Sequence, residues 1–430
     1  MSKKREVNQD IDRLAEKLYE LAQIFRQGGK ANDFEWWNSN SPRSIFYPLY
    51  GYQDGQPLFE AVVQGVLNLN PEMLSEHEVQ IRLMYDFLQV QTISVIKPDH
   101  LNNQSLVEEA KNHLNKLIIF KAWQDVDIPI TNLWLEGEPV ELGYVTFTAA
   151  TEQDLEKWKS NLVVWSQKAP DVHVLARIRS PGDRQRALSY ARSQVDLTLD
   201  VLRAFCFPVG RHSDTWQIGV VGDVISYAST PMRINEKDLV TQLGPGIAQN
   251  ELRKHILPKL KQLQWELVNK LILKAYHTNM ERKLLDGIHW LAESTKPDTN
   301  NSKFAKIGFA LETLIGGEPK DEDLRVRGIT AMLAERAAFI TGEDLDDRLA
   351  IDKGIRKYYG MRSTIVHGGE GDVSLDDIDE FGQLVRHLAL ALLEKLDELG
   401  NTIGDVEELE RWVKVQRYTL PEHNGKKEVA

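Results

Sequence analysis

The chain has 430 residues, 42% of them hydrophobic, which is enough apolar material for two or three globular domains. Its net charge of -12 argues against a protein that coats nucleic acid along a broad basic face, although an enzyme with a local basic pocket remains compatible with it. The single cysteine, Cys206, excludes an intramolecular disulfide and a thiolate metal cluster, and no apolar run is long enough to span a membrane, so we expect a cytoplasmic protein.

Helical periodicity dominates residues 1–130, which we predict to be a mainly helical N-terminal region. Apolar residues recur at helical spacing over 8–27, which predicts an amphipathic helix, and again over 79–119. Between them, residues 34–52 are dense in Trp, Tyr, Pro, Asn and Gly and predict an irregular connection. The pair Trp36-Trp37 is more typical of core packing than of base stacking.

An α+β region is predicted over 131–245, and it is a candidate sensor or regulatory region. Apolar and polar residues alternate over 140–148, and 172–178 and 216–227 also have the pattern of strands. A helix is predicted over 184–205. The region lacks a Gly-rich phosphate loop, so the sequence does not indicate a nucleotide-binding fold.

The rest of the chain has the pattern of an all-α bundle over 246–405, followed by a tail over 406–430. The overall prediction is a multidomain α+β protein, with a mixed α/β N-terminal and middle region before the bundle. Its last helix is expected to begin behind the cap Ser374. The four preceding helices are predicted at 281–294, 304–315, 328–340 and 349–367.

The fourth of these helices carries Arg362 and His367, which together can perform metal-free phosphodiester chemistry. The planar arginine fork suits a phosphate and the charge that builds on it. Histidine, with a pKa of about 6.5, can take a proton from a ribose 2′-hydroxyl or give one to the leaving oxygen. Spacing alone does not identify the pair, because Arg282 and His289 are similarly spaced in a segment with the pattern of a core helix.

The sequence around Arg362 carries a resemblance to a known family. Residues 359–368, Tyr-Gly-Met-Arg-Ser-Thr-Ile-Val-His-Gly, resemble the Tyr-x-x-Arg-Ser-x-x-x-His-Gly signature of ApeA-like HEPN domains (higher eukaryotes and prokaryotes nucleotide-binding). Residues 309–312, Phe-Ala-Leu-Glu, are similar to an upstream helix of the same domains. The resemblance covers about 281–399 and implies that the bundle is a HEPN domain.

This resemblance implies a metal-independent endoribonuclease that needs no cofactor and works as a homodimer with a composite cleft. Arg362 would hold the scissile phosphate and His367 would act as general acid or base, leaving a 2′,3′-cyclic phosphate and a 5′-hydroxyl. Residues five apart on an ideal helix point about 140° away from each other. A partner chain or a helix end must therefore help to bring the two side chains together.

The resemblance also gives expectations for neighbouring residues. Ser363 is a candidate third member of the site, although many relatives have Asn, Asp or His there. Glu312 would either orient Arg362 or His367 across the bundle or pair with another nearby arginine such as Arg336. Each alternative predicts a different ion pair.

Lys357, Tyr358 and Tyr359 are candidate RNA contacts, with core packing the stronger interpretation for at least one tyrosine. The structural alternative for Arg362 is an ion pair, and for His367 it is a polar cap of the helix C-terminus.

Active members of the resembled superfamily often serve as toxins or as abortive-infection effectors in antiviral defence, cutting cellular RNA, including transfer RNA. The expected partners are an RNA substrate, a second copy of the chain, and a phage-derived trigger or an antitoxin, with no membrane. The main alternative is a catalytically silent HEPN module that binds a nucleotide or serves as a dimerisation scaffold. A metal-dependent hydrolase is disfavoured, because neither His-Glu-x-x-His nor a cysteine set occurs.

Overall fold

The structure is a computed structural model, and its described part is mostly helical with a small antiparallel sheet, broadly α+β. No helix in this part combines the length and apolar composition needed to cross a bilayer. The described residues are 2–28, 56–88, 103–131, 133–135, 138–154, 156, 172–206, 218–220, 231–233, 239–241, 250–251, 262–296, 298–317, 328–366 and 372–419.

Twelve α-helices can be numbered in chain order within the described residues. They are α1 (Ser2–Gly28), α2 (Gln56–Leu69), α3 (Glu76–Ile81), α4 (Asn103–Ile118), α5 (Arg184–Cys206), α6 (Gln262–Leu273), α7 (Asn279–Ser294), α8 (Asn300–Ile315), α9 (Ile329–Thr341), α10 (Leu345–Val366), α11 (Leu375–Leu399) and α12 (Val406–Tyr418). The strands are β1 (Trp123–Thr131), β2 (Leu133–Trp134), β3 (Val140–Leu142), β4 (Val145–Ala149), β5 (Val172–Pro181), β6 (Gly219–Val220), β7 (Pro231–Arg233), β8 (Leu239–Thr241) and β9 (Asn250–Glu251).

The chain divides into two compact units, and the first comprises Met1–Val126 and Arg179–Arg192. Its core forms where α1 packs against α2 and α4, which buries the apolar stripe predicted for the first helix. A π-helical segment, Arg82–Leu88, follows α3 directly. The Asn70 amide donates to the carbonyls of Leu117, at 3.0 Å, and Phe120, at 3.1 Å, and so ties the end of α2 to the end of α4.

The second unit, Asp127–Ile178 and Ser193–Ala430, contains most of the five-stranded sheet and the helical bundle. The five-stranded sheet has the order β3-β4-β5-β1-β6. The alternating run over 140–148 is a hairpin, β3–β4, that turns at Gly143 with φ +59°, a conformation that favours glycine. The sheet begins earlier than the alternation indicated, because β1 starts at Trp123, in the region predicted to be mainly helical.

The five helices expected in the bundle are all present, as α7 to α11. α7 packs along α8, α9 packs along α10, and α11 contacts all four. The predicted cap Ser374 accepts a hydrogen bond from the backbone N–H of Asp377 at the start of α11, as expected. α7 and α8 begin earlier than predicted, behind the caps Thr278 and Thr299.

A helix, α12, lies where the sequence predicted part of a tail over 406–430, so this prediction was wrong for Val406–Tyr418. Leu409 and Val413 of α12 are buried. Glu410 also pairs with Arg336 of α9, at 2.9 Å between Oε2 and Nη2. Burial of a narrow apolar stripe and this ion pair attach α12 to the bundle.

Several predictions fall on residues outside the described part. They include the aromatic-rich connection over 34–52 with Trp36-Trp37, most of the predicted strands over 216–227, and the end of the predicted fourth helix at His367.

Candidate active site

Arg362 lies in the last turns of α10, and its side chain is turned into the bundle. The residue is 8% exposed, which is unusual for an arginine without a paired carboxylate. Its Nη2 donates to Oε2 of Glu312 on α8, at 2.9 Å. Glu312 therefore pairs with Arg362, whereas Arg336, the other arginine considered for it, pairs with Glu410.

Glu312 also holds a second residue of α10. The Tyr359 hydroxyl donates to Oε1, the carboxylate oxygen that Arg362 does not use. Burial and the neighbouring Glu312 carboxylate raise the pKa of Tyr359 well above its usual value, so the hydroxyl keeps its proton and remains a donor. The carboxylate is thus held between two donors, which fixes the position of the guanidinium.

Aromatic rings and a glycine complete the surroundings of Arg362. Its Cζ lies 5.0 Å from the ring centroid of Phe309 and 5.5 Å from that of Tyr359, within the range of cation–π attraction. A Cβ at Gly308 would stand 2.6 Å from Cγ of Arg362 and 3.1 Å from its Nε. A hydrogen atom at residue 308 is therefore what lets the arginine stem pass along α8.

A separate cluster joins Lys357 and Tyr358, the two residues before Tyr359 on α10, to α11. Nζ of Lys357 lies 3.0 Å from the Tyr358 hydroxyl and 3.3 Å from Oδ1 of Asp377. The hydrogen bond to Tyr358 and the Asp377 carboxylate raise the pKa of Lys357. The Tyr358 hydroxyl donates to Glu380, and its ring stacks on Phe381 with centroids 5.4 Å apart.

These contacts define what the two tyrosines do in the structure. Tyr358 and Tyr359 are each 4% exposed, and both hydroxyls donate to carboxylates within the bundle. Their rings are packed as core residues, so they present little surface to a nucleotide base. Lys357 keeps 53% of its side chain exposed and is the accessible member of the three.

The other two candidates stand at the end of the same helix. Ser363 follows Arg362 directly and is half-buried. α10 ends at Val366, the residue before His367, and His367 itself lies outside the described residues. The structure therefore brings Glu312, Tyr359 and Arg362 together and does not describe His367.

A second histidine, His289, which the sequence did not single out as functional, is held by a carboxylate of another helix. His289 on α7 contacts Oδ2 of Asp200 on α5 through Nδ1, at 2.6 Å, and 54% of its side chain is exposed. The carboxylate of Asp200 also accepts from Nη1 of Arg203, at 2.9 Å. The hydrogen bond to Asp200 raises the pKa of His289, which favours the cation. No sequence signal links His289 to a residue 89 positions earlier.

The electrostatics at Arg362 limit how it can act. Glu312 neutralises much of its charge, and only 10% of its side chain is exposed. Five N–H donors belong to a guanidinium, and the Glu312 contact uses one at Nη2. An anion that reaches one of the remaining N–H groups would meet a preoriented donor, which is the property that stabilises a phosphate in a transition state.

No protein-family model, curated protein or solved structure matches the chain. Within the described residues, no group of three His, Cys, Asp or Glu side chains is placed to hold a metal ion. A functional assignment therefore depends on the site described above and on the motif around it.

Proposed function

We propose that the chain is a metal-independent endoribonuclease whose helical bundle is a HEPN-type domain and whose site includes Arg362 and His367. The observation that carries the proposal is the clamp on Arg362, in which Glu312 and Tyr359 fix the guanidinium in the last turns of α10. This arrangement falls on the Tyr-x-x-Arg-Ser frame of the motif, and Glu312 belongs to the upstream segment that shares the same resemblance.

In this mechanism Arg362 binds a non-bridging oxygen of the scissile phosphate through an N–H that does not contact Glu312. Burial against Phe309 and Tyr359 lowers the local dielectric, so the donor has more effect on the developing charge than it would in water. Glu312 and Tyr359 are positioning residues, because they act on the phosphate only through Arg362. Lys357 is a candidate for a more distant phosphate contact.

His367 is assigned the proton transfer. It accepts the proton of the ribose 2′-hydroxyl, whose oxygen attacks phosphorus, or protonates the departing 5′-oxygen. The bond between phosphorus and the 5′-oxygen breaks, so the products are a 2′,3′-cyclic phosphate and a 5′-hydroxyl. Because this route uses only the RNA's own nucleophile, we propose that no metal or cofactor takes part.

The biological setting follows the same resemblance. We propose a homodimer that acts in the cytoplasm as a toxin or abortive-infection effector on cellular RNA such as transfer RNA, with residues 131–245 as a candidate sensor of a phage-derived trigger or antitoxin. Arg362 and His367 are five residues apart, so they would not point to the same place from one regular helix. In a dimer, the two protomers together would bring an arginine and a histidine to one phosphate.

A catalytically silent bundle is the second candidate, and one observation favours it. Arg362 is 8% exposed and already paired with Glu312, as a purely structural arginine would be. In that case the domain would bind a nucleotide or serve as a dimerisation scaffold, and Arg362 would matter for stability alone.

The test compares the full-length wild type with Arg362→Ala and His367→Ala. We expect wild type to arrest growth on expression and to leave RNA ends with 2′,3′-cyclic phosphates. Loss of either side chain should lower the cleavage rate by about 100-fold or more. Arg356→Ala is the matched control, because Arg356 is an exposed arginine on the same helix, paired with Asp352.

The rate of RNA cleavage, its dependence on metal and on the 2′-hydroxyl, and the melting temperature together decide the outcome. Cleavage that survives a chelator but disappears with 2′-deoxy substrates supports the proposed mechanism, whereas chelator-sensitive cleavage supports a metal-dependent hydrolase. If wild type leaves RNA intact even under phage challenge while Arg362→Ala lowers the melting temperature, the result supports the second candidate, a catalytically silent bundle. If both variants cut as fast as wild type, the proposed site is wrong.

A further inference from the structure

A row of neighbouring side chains runs from Arg362 through two aromatic rings to His289. Cζ of Arg362 is 5.0 Å from the Phe309 centroid, the Phe309 and Trp290 centroids are 5.2 Å apart, and Trp290 is 6.0 Å from the ring of His289. We call these four residues the aromatic band. They come from α10, α8 and α7, and all lie in the second unit.

We infer that the aromatic band binds the single-stranded RNA next to the scissile phosphate, with Trp290 stacking on a base and His289 contacting a phosphate; this inference rests on the proposed ribonuclease function. Single-strand binding surfaces combine cationic groups that follow the backbone with aromatic rings on which bases stack. The band has both components, with two aromatic rings between two cationic side chains. It starts at the residue that we assign to the scissile phosphate.

The spacing of the band favours a single strand over a duplex. Its successive groups lie 5.0–6.0 Å apart, whereas bases in a stacked strand rise by about 3.4 Å. Trp290 and Phe309 are also inclined by 58°. Bases that meet these rings must therefore be unstacked from one another, which a paired and stacked duplex does not allow.

His289 has the charge and exposure that a phosphate contact requires. Asp200 holds its Nδ1, and 54% of its side chain remains exposed. The charged groups around His289 are Asp200, whose partner is Arg203, Glu293 on its own helix, and Lys296 just beyond the end of that helix. Because Asp200 raises the pKa of His289, the cation persists closer to neutral pH than that of an ordinary histidine.

The test measures binding of a fluorescein-labelled 2′-O-methyl RNA by the full-length protein. The oligonucleotide has about 12 residues of mixed sequence, within the usual range of single-strand sites, and it cannot be cleaved because it lacks the 2′-hydroxyl. Trp290→Leu keeps an apolar side chain against Phe309 but removes the aromatic face, so we expect Kd to rise about tenfold. Trp290→Phe should stay within about threefold of wild type.

His289→Asn should weaken binding at acidic pH, where wild-type His289 is charged, and have a smaller effect at a pH above its raised pKa, where wild-type His289 has lost its charge. Matched controls are Trp412→Leu, a half-buried tryptophan of α12, and His387→Asn, an exposed histidine of α11. Neither belongs to the band, so neither should change Kd.

The result separates the two proposals. If wild type cleaves RNA but Trp290→Leu and His289→Asn bind the oligonucleotide as wild type does, the band is wrong and the nuclease proposal stands. If these variants lose binding while Arg362→Ala and His367→Ala still cut, the band stands and the catalytic assignment is wrong. Equal affinity for a duplex of the same sequence, or no binding by wild type, would overturn the band.

Discussion

At the scale of single residues, the position of Arg362 depends on a neighbour that carries no functional group. Gly308 stands where a methyl group would lie 2.6 Å from Cγ of Arg362. A glycine inside a helix costs about 0.5–1 kcal/mol relative to alanine. At this position the cost is offset by space for a buried guanidinium that pairs with Glu312.

The prediction is that Gly308→Ala disturbs Arg362 more than it disturbs the helix. The added methyl group displaces the arginine stem, and overpacking of about 1–3 kcal/mol outweighs the helical gain. We expect the free energy of unfolding to fall by about 1 kcal/mol and RNA cleavage to fall at least tenfold. Urea denaturation and a cleavage assay measure the two effects.

Gly360 supplies the matched control for this substitution. It is an exposed glycine inside α10, and a Cβ there would meet no atom within 4 Å. Gly360→Ala should therefore raise the free energy of unfolding by about 0.5–1 kcal/mol. If Gly308→Ala stabilised the protein equally and left cleavage unchanged, close packing against Arg362 would not be the reason for the glycine.

At the scale of elements, an ion pair between Glu410 of α12 and the buried Arg336 of α9 attaches α12 to the bundle. Arg336 on α9 is 1% exposed, and its Nη1 also donates to the Ile315 carbonyl at 2.7 Å. Burial lowers the pKa of Arg336, and the Glu410 carboxylate opposes that effect. Without α12 the guanidinium would lose its carboxylate partner.

The prediction is that Glu410→Ala destabilises the bundle far more than a surface change on α12 does. Breaking a buried pair leaves an uncompensated charge and costs about 3–5 kcal/mol. Because the Ile315 carbonyl remains bound to Arg336, we expect the lower end, about 3 kcal/mol, from the urea midpoint. Arg411→Ala, at an exposed neighbouring position, should stay within about 0.5 kcal/mol of wild type. Equal losses in the two variants would contradict this account.

The sequence predicts an element correctly when the residues of that element alone carry a clear pattern. The α11 stripe is wide and has a cap, so periodicity was sufficient. α12 buries only Leu409 and Val413, a stripe too narrow to distinguish from a polar tail. β1 carries exposed Asp125 and an internal Pro129, which weaken a strand pattern, and its position is decided by pairing with distant strands.

At the scale of the whole molecule, the site joins residues that are far apart in the chain. Glu312 and Arg362 are separated by 50 positions, so the sequence left two possible partners for Glu312, and only the packing of α8 against α10 decides between them. The contact between His289 and Asp200 spans 89 positions. Residue types and a local motif predict chemistry, whereas tertiary pairing depends on the assembled fold.

A composite site predicts that activity depends on protein concentration. If two protomers complete one cleft, cleavage per chain should fall as the enzyme is diluted below the dimer dissociation constant. Analytical ultracentrifugation and a cleavage assay over the same concentration series measure this relation. Constant activity per chain while dimers dissociate to monomers would show that one protomer suffices.

The ion pair between Arg336 and Glu410 also sets a limit on when the bundle can finish folding. The two residues are 74 positions apart. At about 5–20 residues per second, a ribosome needs about 4–15 seconds to add that length of chain. During this interval the residues of α9 have been translated, but Glu410, the ion-pair partner of Arg336, has not yet been made. The bundle carrying Arg362 therefore completes its packing only after Glu410 has been translated, when all residues of the first unit have already been made.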